Sequence, residues 1–302
     1  MESYRQAVGV LPEPLRTCAL AVDELTMGRT EELRLRTGRV PTLVLPEGER
    51  DIPNAVPIEK ADLEHLVELA GRWSLHAVLD QIRRGFLTVE GGHRLGLCGT
   101  VVLQGAQIQT IRDFSGANLR VARQIYGVGS SVAGQLYRNG QLQNTLILGP
   151  PGAGKTTLLR DLIRSISSGE TGVPARICVA DERGELAAAF RGRAQMDLGP
   201  RTDVLEGCPK GTAITLLIRG MNPQVIAVDE ITAPEDVRAM EQAIGCGVTL
   251  LATAHGTGTE DLKRRPLYRD MMEKNIFQKV VILRNQGGER ELQVVPVEEL
   301  QW

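Results

Sequence analysis

Residues 149–156 read Gly149-Pro150-Pro151-Gly152-Ala153-Gly154-Lys155-Thr156, the G-x-x-x-x-G-K-T spacing of a phosphate-binding loop. The residue types follow from the chemistry. Glycines let the backbone curl until successive N–H groups face phosphate oxygens. A helix opening at Lys155-Thr156-Thr157 turns its positive N-terminal end on the same anion. Lys155 has the reach to meet the β- and γ-phosphates, and Thr156 offers a hydroxyl to Mg²⁺. Residues 149–157 are therefore the expected nucleotide ligands, with ATP and Mg²⁺ as expected cofactors. No N-K-x-D segment supports a guanine pocket, and no L-S-G-G-Q segment supports a transporter-type ATPase.

The segment PQVIAVDE supplies the second half of such a site. Val225 to Val228 form an apolar run, and Asp229 and Glu230 follow at its end. Two adjacent carboxylates at a buried strand end are unfavourable unless they serve a cation or a proton transfer. Asp229 is placed to hold Mg²⁺ through water, and Glu230 to orient or deprotonate the attacking water. That pairing favours hydrolysis over binding alone. Two more apolar runs end in polar residues. RICVA leads to Asp181, Glu182 and Arg183, with Glu185 close behind. TLLATA leads to His255, with Thr253 before it. A histidine there is placed to bond the γ-phosphate or Glu230. For Asp181 and Glu182, a plain turn or helix-cap role is the alternative.

These side chains need elements to hold them. TLILG before the loop, RICVAD, PQVIAVDE and GVTLLATAH read as strands, with helical stretches at 211–220 and 235–245 between them. Apolar strands alternating with helices predict a parallel sheet covered on both faces, with ligands at the carboxyl ends of its strands. KVVILRN and RELQVVPV around Gly287-Gly288 predict a closing hairpin. Upstream the texture differs. Residues 1–25 read as a helical lead-in broken by Pro12 and Pro14. Leu33, Leu35, then Val40, Leu43 and Leu45, mostly alternating, predict a hairpin turning at Thr37-Gly38, and a polar loop runs from Glu47-Gly48 to Pro57. Residues 59–84 carry two helical stripes, one ending at Gly71 and one built on Leu75, Val78, Leu79 and Ile82. Three or four antiparallel strands follow Phe86. The predicted organisation is a smaller α+β domain over 1–122, a linker with a lead-in helix over 123–143, and a P-loop ATPase domain over 144–302.

Composition narrows the classes. The 302 residues carry 35 Lys+Arg against 37 Asp+Glu, so a general basic coat for nucleic acid is excluded. Aromatics at 3% argue against a base-stacking surface, and nucleic acid is not an expected partner. The five cysteines are scattered without C-x-x-C, which fits neither a disulfide framework nor a zinc knuckle. The chain has no apolar run of membrane-spanning length and no signal-peptide pattern at its start, so a cytoplasmic protein is expected.

The blocks GPPGAGKTTLL, VADERGE, LLIRGMNPQVIAVDE and TAHG, in that order, resemble the RecA-like secretion ATPases of type II, type IV pilus and type IV secretion systems. The resemblance implies a RecA-like core and matches Arg219 and Glu230 to that family's Arg-x-x-x-Pro…Glu block, with Arg219 acting in cis. It departs in lacking an Asp-Pro step in the acidic box, in having Asp229 where glycine is common, and in lacking a cysteine-rich module. EELRLRTGRVP, GGHRLGLCGT, IRDFSGANLRVAR, ADERGEL and GPRTDVLEGCPK are similar, over nearly the whole chain, to the stage III sporulation AA family of endospore formers. That resemblance implies an ATPase in the mother-cell cytoplasm, a homo-hexamer, held at the membrane by embedded channel proteins of the mother cell–forespore channel. Ring ATPases of this kind complete each site with arginines, for which Arg112, Arg120, Arg123, Arg183, Arg191, Arg193 and Arg201 are candidates. The competing readings are a nucleic-acid-associated ATPase and an ATP-binding scaffold with little turnover.

Overall fold

In the computed structural model, residues 1–71, 79, 81–83, 85–286 and 289–300 are described. The chain divides into two units. The first is Met1–Arg123 together with Ala188–Gln195, and the second is Gln124–Ala187 with Met196–Trp302.

Period-two alternation builds the first unit. Strands β1 (Glu32–Arg36), β2 (Thr42–Leu45), β3 (Gly48–Asp51), β4 (Phe86–Val89), β5 (His93–Gln104) and β6 (Gln107–Arg120) form one sheet in the order β3-β2-β1-β6-β5-β4, every pair antiparallel. Leu33, Leu35, Leu43, Leu45, Leu87, Leu95 and Leu119 all point to one face and are buried. They share a core with Tyr4 and Leu11 near helix α1 (Glu2–Val8), and with Leu63 and Leu66 of α4 (Lys60–Gly71). Between α1 and α4 lie two short helices, α2 (Leu15–Leu20) and α3 (Glu24–Arg29). Asp23 caps α3 by accepting from the Thr26 N–H. Strand β3 falls inside the expected polar loop. All four of its residues are exposed, so no apolar alternation announces it. Of the second stripe in 59–84, Leu75 and Val78 lie outside the described residues, and Ile82 is buried in the core. Residues 188–195 join this unit, where the Gln195 side chain accepts from the Gly91 N–H at 2.8 Å.

The second unit begins with a short helix, α5 (Ser130–Ala133), and a two-residue hairpin of β7 (Tyr137–Arg138) and β8 (Gln141–Leu142). A longer lead-in helix was expected here. The chain is instead extended from Tyr137, and Asn139 and Gly140, both at positive φ, make the tight turn of the hairpin. Strands β9 (Thr145–Gly149), β10 (Ile177–Asp181), β11 (Thr202–Glu206), β12 (Val225–Val228), β13 (Thr249–His255), β14 (Lys279–Gln286) and β15 (Glu289–Pro296) form a sheet ordered β11-β10-β12-β13-β9-β14-β15. Only the β14–β15 pair is antiparallel. Residues 287–288, the predicted turn of that hairpin, lie outside the described residues. Every residue of β9, β10 and β12 is buried, as strands covered on both faces must be. The further α-helices described in this unit are α6 (Lys155–Ser168), α7 (Lys210–Met221), α8 (Pro234–Gly245), α9 (Thr259–Arg264) and α10 (Pro266–Glu273). Glycine at φ +81 closes α6, and Asp236 accepts from the Thr232 and Ala233 N–H groups at the start of α8.

Candidate nucleotide site

Strand β9 ends at Gly149, and α6 starts at Lys155. The loop between them turns at Gly152 (φ +73) and Gly154 (φ +99), where a side chain is strained. The partly buried Lys155 ammonium reaches back into the curl. It donates to the carbonyls of Gly149 and Pro150, each at 3.0 Å, and lies 2.8 Å from Nδ1 of His255. Burial holds its pKa below the ordinary lysine value.

The neighbouring strands deliver the other groups. His255 closes β13 directly opposite Gly149 of β9, and β12 lies beyond β13. Because Nδ1 of His255 accepts from the Lys155 ammonium, Nε2 carries the proton and faces Glu230 Oε1 at 3.0 Å. The other Glu230 oxygen is 3.2 Å from the Arg183 guanidinium. Glu230 itself sits at φ +30, a backbone state that costs a non-glycine residue energy. Its N–H is tied to Thr253 Oγ1 at 3.0 Å and Asp229 Oδ1 at 3.1 Å. Asp229 Oδ1 also accepts from Thr253 Oγ1 at 3.2 Å and lies 3.5 Å from Thr156 Oγ1. Burial, then the charges of Glu185 and Asp181, push the Asp229 carboxyl up to about 6. A half-buried carboxylate beside a loop hydroxyl, strained towards neutrality by its surroundings, has the donor set that a divalent cation satisfies.

Lys155, Thr156, Asp229, Glu230, His255 and Arg183 thus meet at one edge of the sheet. Glu182 does not join them. It pairs with the buried ammonium of Lys210 at the start of α7, on the wall of a 720 Å³ groove between α7 and α8. Asp181 is turned inward, where it accepts from the Glu185, Leu186 and Ala187 N–H groups at 2.8–3.0 Å. Arg219 is exposed on the last turn of α7, along the same groove. That helix leads into the start of β12, so Arg219 and Glu230 lie at opposite ends of the strand. Of the other arginines, Arg120 pairs with Glu32, Arg123 donates to the Met27 carbonyl and Arg201 to the Ser167 carbonyl. Arg191 and Arg193 lie in the 188–195 segment, and Arg112 is exposed on β6 beside Asp113.

Two arginines carry weight that the sequence did not reveal. Arg160, one helical turn after Thr156, donates to the carbonyls of Glu185 at 2.6 Å and Leu186 at 2.9 Å. It fixes the acidic loop to the phosphate-loop helix, and the i, i+4 spacing from Thr156 was its only signal. Arg290 on β15 lays its guanidinium against Gly154.

The site sits in a chain that matches the sporulation stage III, protein AA family over residues 1–298. The chain belongs to that family. Stage III sporulation protein AA of Bacillus subtilis (strain 168) is 36% identical over 280 residues, 92% of this chain and 90% of that protein. Among solved structures, the Legionella pneumophila ATPase DotB superposes with a TM-score of 0.58 at 14% identity, over 94% of this chain and 81% of DotB. The pilus retraction motor PilT with bound ADP gives 0.59 at 17% identity, over 88% of this chain and 78% of PilT. At such identities the likeness shows the fold. This member of the sporulation stage III AA family has a RecA-like core with a mostly parallel sheet, preceded by a smaller α+β part with an antiparallel sheet. No helix among its described residues is long and apolar enough to cross a membrane.

Proposed function

We propose that the chain is a Mg²⁺-dependent ATPase of the secretion type, and that Glu230 positions the attacking water. The observation that carries this reading is the chain of contacts from the Lys155 ammonium through His255 to the Glu230 carboxylate. Lys155 leaves two loop carbonyls to take the β- and γ-phosphates. His255 then loses its cationic neighbour, so the phosphate's arrival is felt at Glu230. Glu230, held at a strained backbone angle by two hydrogen bonds, faces the γ-phosphate end of the loop as general base for in-line attack. Thr156 and Asp229 would hold Mg²⁺, which supplies charge neutralisation on the transferred phosphoryl group. DotB is an ATPase and PilT a pilus motor that binds ADP, which supports a mechanical role. Family membership supports a place in sporulation; the reading places the chain there as a homo-hexamer in the mother-cell cytoplasm, docked on membrane-embedded channel proteins. Glu182, in its pair with Lys210, is then a positioning residue.

The test is phosphate release by the full chain. Glu230→Gln is expected to keep ATP binding and lose turnover by about 100-fold or more. Lys155→Ala is expected to lose ATP binding by calorimetry. Equal turnover in the Gln variant removes Glu230 from the reaction.

A further inference from the structure

Sheet order puts His255, Asp229, Glu230 and Arg183 on one side of the phosphate loop. From β9, one direction leads to β13 with His255 and β12 with Asp229 and Glu230. The other leads to β14 and β15. Strand β14 runs parallel to β9, so it ends at the same sheet edge as the loop, and β15 begins there. Arg290 is the second residue of β15. Its guanidinium carbon and one terminal nitrogen each lie 3.1 Å from where a Gly154 side chain would begin. The guanidinium therefore rests directly on the loop backbone, and glycine at 154 is what leaves room for it.

Its surroundings make this placement unusual. Arg290 has no ion-pair or side-chain hydrogen-bond partner among the described residues. It lies against Gly154, the residue before Lys155, at the positive N-terminal end of α6. A guanidinium there is repelled by both unless an anion occupies the space between. It brings five N–H donors in a fork that matches phosphate oxygens. Gly154 belongs to the part of such a loop that cradles the α- and β-phosphates.

We propose that Arg290 is a second cationic ligand of the nucleotide's diphosphate, contacted by ATP and ADP alike. The assignment rests on the nucleotide-site reading above. It lies across the loop from Glu230 and His255, which face the γ-phosphate, so its contact survives hydrolysis and retains the product.

The test is calorimetry of ADP and ATP, each with Mg²⁺, on the full chain and on Arg290→Ala, Arg290→Lys and Lys155→Ala. Arg290→Ala is expected to weaken both nucleotides by a similar factor, on the order of tenfold. Arg290→Lys, which keeps the charge without the fork, is expected to fall between and controls for any loss of stability in the Ala variant. Unchanged ADP affinity in Arg290→Ala overturns the assignment. So does loss of ATP affinity alone, which would place the contact at the γ-phosphate. If Lys155→Ala also binds ADP like the native chain, the nucleotide-site reading itself has failed. If only Lys155→Ala loses ADP, the failure is confined to Arg290.

Discussion

Asp181 and Asp229 stand at the ends of adjacent parallel strands, β10 and β12, and burial raises both carboxyls above the usual range. Their partners set them apart. Asp181 accepts from three backbone N–H groups of the loop that follows it. Its charge is spent on holding residues 185–187 in place. Asp229 bonds the Thr253 hydroxyl and one N–H, and sits 3.5 Å from the Thr156 hydroxyl. A position at the carboxyl end of a parallel strand is thus no sufficient mark of function. The number of donors already aimed at the carboxylate decides whether it is committed to building a loop or keeps acceptor capacity for another partner.

Substitutions at the two positions should act in opposite directions. Asp181→Ala leaves three N–H groups without an acceptor, at about 1–3 kcal/mol each before relaxation. The expected loss is about 4 kcal/mol of unfolding free energy, read by urea denaturation. A loss under about 1 kcal/mol would mean that the loop does not depend on Asp181.

Asp229→Asn should stabilise the nucleotide-free protein. The folded carboxyl titrates at about 6, above its unfolded value near 3.8, so its contribution is complete below pH 3.8 and lost as pH rises through 6. The Asn variant escapes that loss. It is expected to be more stable than the native chain by about 2 kcal/mol at pH 7.5, with the difference gone by pH 4. Mg²⁺ with ATP should narrow the gap at pH 7.5 by stabilising only the carboxylate form. Thermal melts over pH 4 to 8 read both effects, and an Asn variant less stable at pH 7.5 would break the contrast.

The smallest effect is expected at Arg183. Its pair with Glu230 is 3.2 Å long, but its side chain is 58% exposed. Arg183→Ala should change stability by less than about 0.5 kcal/mol in urea. A change of several times that size would make the Arg183 contact part of the scaffold that Asp181 builds.

Much of this site is legible in the chain. Four buried apolar residues at 225–228, glycines at 149, 152 and 154, and a lysine at 155 are local signals, and they describe local structure. The pieces that escape are those whose cause is remote. Strand β11 is an edge strand of mixed residues, Thr202 to Glu206, that exists because β10 offers it a ladder. Strand β3 pairs with β2 through a tight turn at Pro46-Glu47 and carries no buried side chain. Arg290 sits in a Glu-Arg-Glu run that reads as solvated hairpin, and only the sheet order brings it to the loop. The inward turn of Asp181 is equally invisible, because its three donors come from residues with no pattern of their own.

The membership of residues 188–195 in the first unit has a consequence for synthesis. A ribosome releases the chain from its first residue onward, at about 5–20 residues per second. The first 123 residues carry nearly all of that unit, yet its last piece, which includes the Gln195 bond to Gly91, emerges 72 residues later (195 − 123). The unit stays unfinished for several seconds while β9, the phosphate loop and β10 leave the ribosome. Its completion is therefore timed by the appearance of the second unit rather than preceding it.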